Sequence, residues 1–450
     1  MAGYASLIGM SLNFAVMFRI KFRFTTRVQL LATCAVLIVA NYISANTDNV
    51  PLMVVSCFVA GWFRMQGTFA CNSTIQLWIT PYRDMSVFFC FVYILVDGTI
   101  QLSGIATIYT AFFASWEYMQ WIITALLAMM MIAVVALLRP VRCPMFIPLL
   151  GIDWIGSLLW GAVMLCFTFV CVYGNYFDWW SSVEIKGASY IGLCALLLNL
   201  WRATFLRHPY ISLTMKNRNV ATAVILYAAF FTLLATEHVF EHGYALEILG
   251  FDETNMIDLN WYVFAGIVFG VLFTYYSFAL NKWRYKTMTI ISFCFAAAYL
   301  SWFYFGIGSD VEKDALFVPL FLRGAGSVIL SIVLLTSIVQ SGLPFQVFPQ
   351  GLVLNGFGGA VMGATLGPAI VGEWLRQLVA RNLNVIGMMP GNAMVLAMKE
   401  IYGWLLLLAL MSILVMAVSY GPVRPYAIFP KWRTIRRTVL KLVRSAEPAV

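Results

Sequence analysis

Apolar runs of about 20 residues recur from one end of the chain to the other, separated by short polar and mostly basic stretches. They place thirteen spans at 2–18, 29–45, 51–72, 86–112, 118–138, 147–173, 187–205, 219–240, 259–280, 287–307, 315–340, 350–372 and 401–420. Inside hydrocarbon every backbone N–H and C=O needs an internal partner, so runs of this length are helices. Turn signals every ten residues or so, the mark of an outer-membrane barrel, are missing. The pattern predicts an all-α polytopic bundle of about 13 transmembrane helices.

Composition narrows the class. Of 450 residues, 62% are hydrophobic and 10% charged, against about a quarter charged in soluble domains. No secretory signal or soluble domain stands out. The 28 Lys and Arg residues are distributed unevenly: 21 fall in alternate loops and the carboxyl tail, five on the opposite side, and Arg64 and Arg323 within spans. That bias puts the C-terminus in the cytoplasm, the chain lying in the inner (plasma) membrane, and an odd number of spans then starts Met1 outside. The net charge of +9 thus follows from topology, and no basic-aromatic pattern argues for nucleic acid. The nine cysteines lie in spans or near cytoplasmic ends with no Cys-x-x-Cys among them, so neither an external disulfide nor a cysteine metal site is expected. Residues 430–444, which set Trp432 and Val439 among six basic residues, read either as a helix lying on anionic lipid or as a solvated tail.

Charge inside a span is expensive, so an intramembrane ionisable group marks a pathway or a partner by default. Arg64 and Asp97 lie at similar depth, about 22 and 18 Å from the basic side at about 1.5 Å per residue, and are expected to pair between the third and fourth spans. Arg323 lies about 12 Å below the opposite surface. The segment "ATEHVFEHGY", 235–244, sets Glu237 and Glu241 on one helical face and His238 and His242 on a second, about 100° further round. It also matches H-x-x-E-H, with two imidazoles one turn apart and a candidate general base between them. Three readings are open. A hydrolytic zinc site needs a third ligand such as Glu247 or Asp252, because His208 lies on the other side of the membrane. A protonatable transport site uses Glu237 or Glu241, tuned by burial and Arg323, with His238 titrating near neutral pH. A helix simply emerging into water needs neither. Asn72 and Asn355 read as interhelical hydrogen bonders or polar cavity residues. In "GGAVMGATLGPAIVG", Gly359, Gly363 and Gly367 recur every four residues before Pro368, a face for close helix approach and bending.

Several stretches carry a likeness: "GIDWIGSLLWGAVMLCFTFVCVYGNYFDWWSSVEI" (151–185), "HPYISLTMKNRNVA" (208–221), "FLRGAGSVILSI" (321–332) and "LNGFGGAVMGATLG". In these the chain resembles the fourteen-helix drug:proton antiporter branch of the major facilitator superfamily, over essentially its whole length. The resemblance implies an N-terminal bundle at 1–146 holding family helices two to six, and an inserted central helix pair at 147–207. It further implies a six-helix C-terminal bundle at 208–421, a basic cytoplasmic tail at 422–450 and a long external loop at 373–400. On the resemblance, Met1 is expected to fall at the start of the family's second helix, with the first one outside this sequence. Third, eighth and eleventh spans would line a cavity. The chain departs from the family in three places. "FRIKFRFTTR" lacks the glycine and aspartate of the family's loop signature. Cys57, four residues before Gly61, stands where the family has an arginine, which Arg64, two turns on, could replace. The fifth-helix Gly-Pro-x-x-Gly-Gly signature is absent from "VDGTIQLSGIATIY".

The resemblance implies a secondary active transporter that exports amphipathic or hydrophobic compounds by alternating access, in exchange for protons. Arg64, Asp97, Glu237, His238, Glu241 and Arg323 are the expected pathway residues. Lipid, protons and a small amphipathic substrate are the expected partners, with a periplasmic adaptor left open, and no cofactor, metal or enzymatic activity is expected. Two alternatives stand beside this reading: an intramembrane zinc hydrolase built on 238–242, and a non-transporting remnant that has lost a cavity-lining helix.

Overall fold

The computed structural model describes residues 1–81, 84–140, 152–206, 208–212, 217–241, 243–308, 310–341, 348–384 and 389–418. Among the described residues each expected span falls largely on helix. The first half contains α1 (Ala2–Asn13), α2 (Met17–Arg23), α3 (Thr26–Asn46), α4 (Val50–Ile79), α5 (Met85–Phe113) and α6 (Trp116–Leu137). A hairpin follows, made of α7 (Trp154–Tyr173) and α8 (Val183–Phe205). The second half contains α9 (Arg218–Leu233), α10 (Glu253–Thr274), α11 (Tyr285–Gly306), α12 (Phe317–Val339), α13 (Phe348–Gly356), α14 (Gly367–Asn384) and α15 (Pro390–Val418). Polar residues ahead of the apolar runs start many of them: the side chains of Thr25, Asn49, Asp84, Ser115, Asp153, Ser182 and Asn217 each accept a first-turn N–H.

Among the described residues, eleven helical stretches are long and apolar enough to cross a membrane, or twelve if α1 and α2 count as one. The expected first span is not straight, because α1 and α2 meet at a 64° bend. The expected eighth span is cut short at Leu233 and continues into a π-helical turn, Glu237–Glu241. The loop expected at 373–400 is largely helix: α14 runs on to Asn384 and α15 already begins at Pro390. Its polar residues pair, Arg376 with Glu373 at 2.9 Å along the surface of α14 and Arg381 with Glu400 of α15 at 2.6 Å, so a polar stretch stays helical beyond the apolar run. The basic tail at 422–450 and Cys143 lie outside the described residues.

α1 crosses α4 almost backbone to backbone. A Cβ on Gly9 would lie 2.1 Å from the Phe58 carbonyl oxygen, and one on Gly61 would lie 1.9 Å from that of Ser6, so no side chain fits at either crossing point. In the second half α12 is the hub, enclosed by α10, α11 and α9, whereas α6 lies almost wholly on the outside of the molecule. Phe230, Phe293, Tyr299, Phe303 and Tyr402 fill the core around that hub. The halves meet along two seams, α5 against α10 and α12, and α1 against α13 and the π-helical stretch Phe357–Leu366.

Candidate functional site

Two polar features lie inside this apolar frame, one in the second half and one between the halves. The first begins where α9 ends. The Glu237–Glu241 turn carries both glutamates toward α12, where Arg323 projects from the middle of an otherwise apolar face. Arg323 is 6% exposed. Its Nη1 donates to Glu241 Oε2 and lies 3.3 Å from Glu237 Oε1. The second oxygen of Glu241 accepts from the Tyr299 hydroxyl at 2.6 Å, and that hydroxyl lies 3.3 Å from Thr236 Oγ1. Phe303 stacks on Tyr402 beside the cluster, with Phe240 against the edge of the same ring. A cavity of about 40 Å³, room for little more than water, touches Glu241, Arg323, Tyr244 and Asn260. One arginine and two glutamates carry a formal charge of minus one when all are ionised, so a single proton on the buried Glu241 makes the set neutral. Burial of Glu241 and Arg323 rewards that neutrality.

The second feature is a cavity of about 690 Å³ between the halves. Met10 and Phe14 beside the bend, Met17 and Phe18 on α2, Arg64 to Gln76 on α4, and Met85 to Ser103 on α5 form its wall on one side; Leu335, Val339, Phe348 and Leu352 close the other. It runs from mid-helix, at Arg64 and Ser103, to the end of the molecule that carries Gln76, Met85, Val339 and Phe348. Arg64 faces into it and donates to Met10 Sδ at 3.1 Å. Asn72 lines it two turns further along the helix.

Arg64 and Asp97 do not pair, contrary to the expectation from their depth. α5 leans away from α4 onto α10 and α12, which sets Asp97 near Tyr93 and Tyr227. Counting residues fixes height along a helix and leaves its rotation open. Asn355 is buried on α13, its Oδ1 unpartnered among the described residues. Gly359, Gly363 and Gly367 face α9, where Cβ atoms would meet Tyr227 Cε1 at 1.8 Å, Phe231 Cβ at 2.4 Å and Ala235 Cβ at 2.9 Å. Pro368 is the second residue of α14. Of the H-x-x-E-H motif, His242 lies outside the described residues, as does the His238 side chain. Its Glu241 is committed through both oxygens to Arg323 and Tyr299, which leaves no lone carboxylate edge for a metal-bound water. Among the described residues no three His, Cys, Asp or Glu side chains gather as a metal site.

One further cluster escaped the sequence reading. Asp153, capping α7, accepts from Arg202 at 2.8 Å and from the Tyr210 N–H at 3.3 Å, while the Tyr210 hydroxyl donates to the Leu12 carbonyl in the last turn of α1. Gln350 in α13 accepts from the Ser212 N–H at 2.9 Å and donates to the Pro209 carbonyl. The connector at 208–212, between α8 and α9, is thereby tied to both halves. A polar residue directly before "WIGSLLW" was the available signal for the cap; nothing in the sequence announces its long-range partners.

No protein-family model matches the chain, and no curated protein matches it. Solved structures do. A peptide transporter POT in complex with sulfate aligns with TM-score 0.58 at 16% identity, covering 93% of this chain and 85% of that one. A POT family transporter in complex with a thioalcohol-conjugated peptide aligns with 0.58 at 12%, covering 92% and 87%. The nucleoside transporter NupG aligns with 0.51 at 13%, covering 92% and 91%. At these identities the likeness is one of fold: this chain has the all-helical bundle seen in those solved structures.

Proposed function

We propose that the chain is a secondary transporter that moves amphipathic or hydrophobic compounds by alternating access, coupled to protons through the Arg323, Glu237 and Glu241 cluster. The observation that carries this reading is a buried arginine held between two carboxylates, one proton away from neutrality, in a bundle that opens a large cavity at its opposite end. On the orientation given by the basic loops, the cavity opens to the cytoplasm of the inner membrane and the cluster lies toward the outside. Protonation of Glu241 would release Arg323 from one of its two partners. That changes the relative energies of two arrangements of α12 against α9, which is what coupling requires.

The zinc-hydrolase reading asks Glu241 to serve as general base, and the ion pair already holds it. The test is transport in vesicles. Purified protein in proteoliposomes should move a fluorescent amphipath when a proton gradient is imposed. Glu241→Gln should lower that flux at least tenfold, about 1.4 kcal/mol of lost coupling, while gradient-free exchange of the same compound persists. Flux indifferent to the gradient would remove the coupling mechanism.

A further inference from the structure

The two intraspan arginines sit in opposite circumstances. Arg323 has two carboxylates. Arg64 has none among the described residues: its one side-chain bond is to the Met10 thioether, a weak acceptor for a group with five N–H donors. Among the described residues it is also the only charged side chain on the wall of the 690 Å³ cavity, which is otherwise built largely of Phe, Met and aliphatic residues with a few neutral hydrogen bonders such as Thr68 and Asn72. That volume is in the range of small-molecule sites. Arg64 is exposed to the cavity, and its guanidinium, with no carboxylate beside it among the described residues, offers a fork that an anion with two oxygens in a plane can bind side on.

We propose that this cavity takes an amphipathic organic anion, its carboxylate or phosphate on Arg64 and its apolar body against Phe14, Phe18, Phe69 and Phe88. The inference deepens the transport reading and rests on it for the claim that what binds is carried. It also separates the cavity from two other chemistries. An organic cation would meet Arg64 as a like charge. A zwitterionic peptide would bring an ammonium group for which the lining, among the described residues, provides no carboxylate. The opening at one end admits a molecule from water, and the apolar walls suit one drawn from the bilayer, so a soluble aryl carboxylate and a fatty acid share the required chemistry.

Binding tests the assignment without any gradient. Protein in phosphatidylcholine nanodiscs is titrated with a dansyl-labelled undecanoic acid, its primary amide and the matching amine. The acid should bind about tenfold or more tighter than the amide, as expected for a hydrogen bond to a charged group, and the amine should bind weakest. In Arg64→Gln the acid should fall to the level of the amide, with Arg64→Lys between. Oleic acid and naphthoate, added separately as competitors, identify the lipid-borne or the soluble source by whichever displaces the probe. Equal binding of acid and amide by the wild type, or acid binding unchanged in Arg64→Gln protein that elutes as the wild type does, overturns the proposal. Anion-selective binding by a protein that moves nothing across vesicles would leave this site standing and remove the transport reading. Gradient-driven flux of the amine would do the reverse.

Discussion

With Arg323 removed, the buried Glu241 is left beside the partly exposed Glu237 with no cation between them, and breaking a buried pair from one side is far more damaging than deleting it whole. Arg323→Met should therefore destabilise the protein by about 3–5 kcal/mol, read as a fall in the thermal unfolding midpoint in detergent. Adding Glu237→Gln and Glu241→Leu to the same chain should recover most of that loss. An equal midpoint for the single and triple variants would mean that the pair is not what holds α12 to the turn after α9. The charged members of this cluster were legible in the sequence because an ionisable group in a long apolar run is rare. Tyr299 and Tyr402 were not. The chain has 21 tyrosines, and the pattern around a core tyrosine is the same whether its hydroxyl meets a carboxylate or nothing. Arg64 and Asp97 were legible as charges and misread as partners, since their helices turn those faces in different directions.

Helix positions were largely readable because hydrocarbon thickness sets run length, and a cap residue stands ahead of many runs. Two kinds of element were not. α14 extends past its apolar run on a surface whose Glu373, Arg376 and Gln377 bond to one another, so its polarity looks like a loop in one dimension. The bend between α1 and α2 has no proline to announce it. Close helix approach, by contrast, can be tested directly. Gly61→Ala drives a methyl group into the Ser6 carbonyl and should destabilise by about 1–3 kcal/mol, the usual range for overpacking. Gly104→Ala, where nothing lies within 4 Å, should leave the midpoint unchanged. If both substitutions were neutral, α1 and α4 could separate without loss.

Across the whole molecule, the two halves are joined at the cavity's open end by an ion pair between loops: Lys282 Nζ lies 2.7 Å from Asp84 Oδ2. Burial pushes the Asp84 carboxyl up, but its bonds with Lys282 and Ser86 outweigh that and hold it below the ordinary value. A carboxylate depressed in the folded state contributes stability above its unfolded value, about 3.9, and loses it as pH falls through the lower folded one. Both side chains are partly exposed, so the pair contributes no more than about 1 kcal/mol. Asp84→Asn should lower the unfolding midpoint slightly and by a constant amount from pH 8 to 5, the gap closing as the medium is acidified below pH 4. A gap that instead opened on acidification would contradict the pairing. Lys282 holds its backbone at φ 55°, a left-handed conformation costing about 1 kcal/mol for a residue with a side chain, so the loop is kept in a shape that serves the contact.

The bond from the Tyr210 hydroxyl to the Leu12 carbonyl joins residues 198 positions apart. Leu12 lies in the last turn of α1, where carbonyls have no donor within the helix. The group that satisfies this one belongs to the middle of the chain. During synthesis, at roughly 5–20 residues per second, the first helix thus enters the membrane tens of seconds before its end can be completed. Until the connector arrives, that carbonyl must borrow a donor from water, a headgroup or the machinery that inserts it. The order of manufacture thus sets a period in which the amino-terminal helix depends on its surroundings for what the finished protein supplies from within.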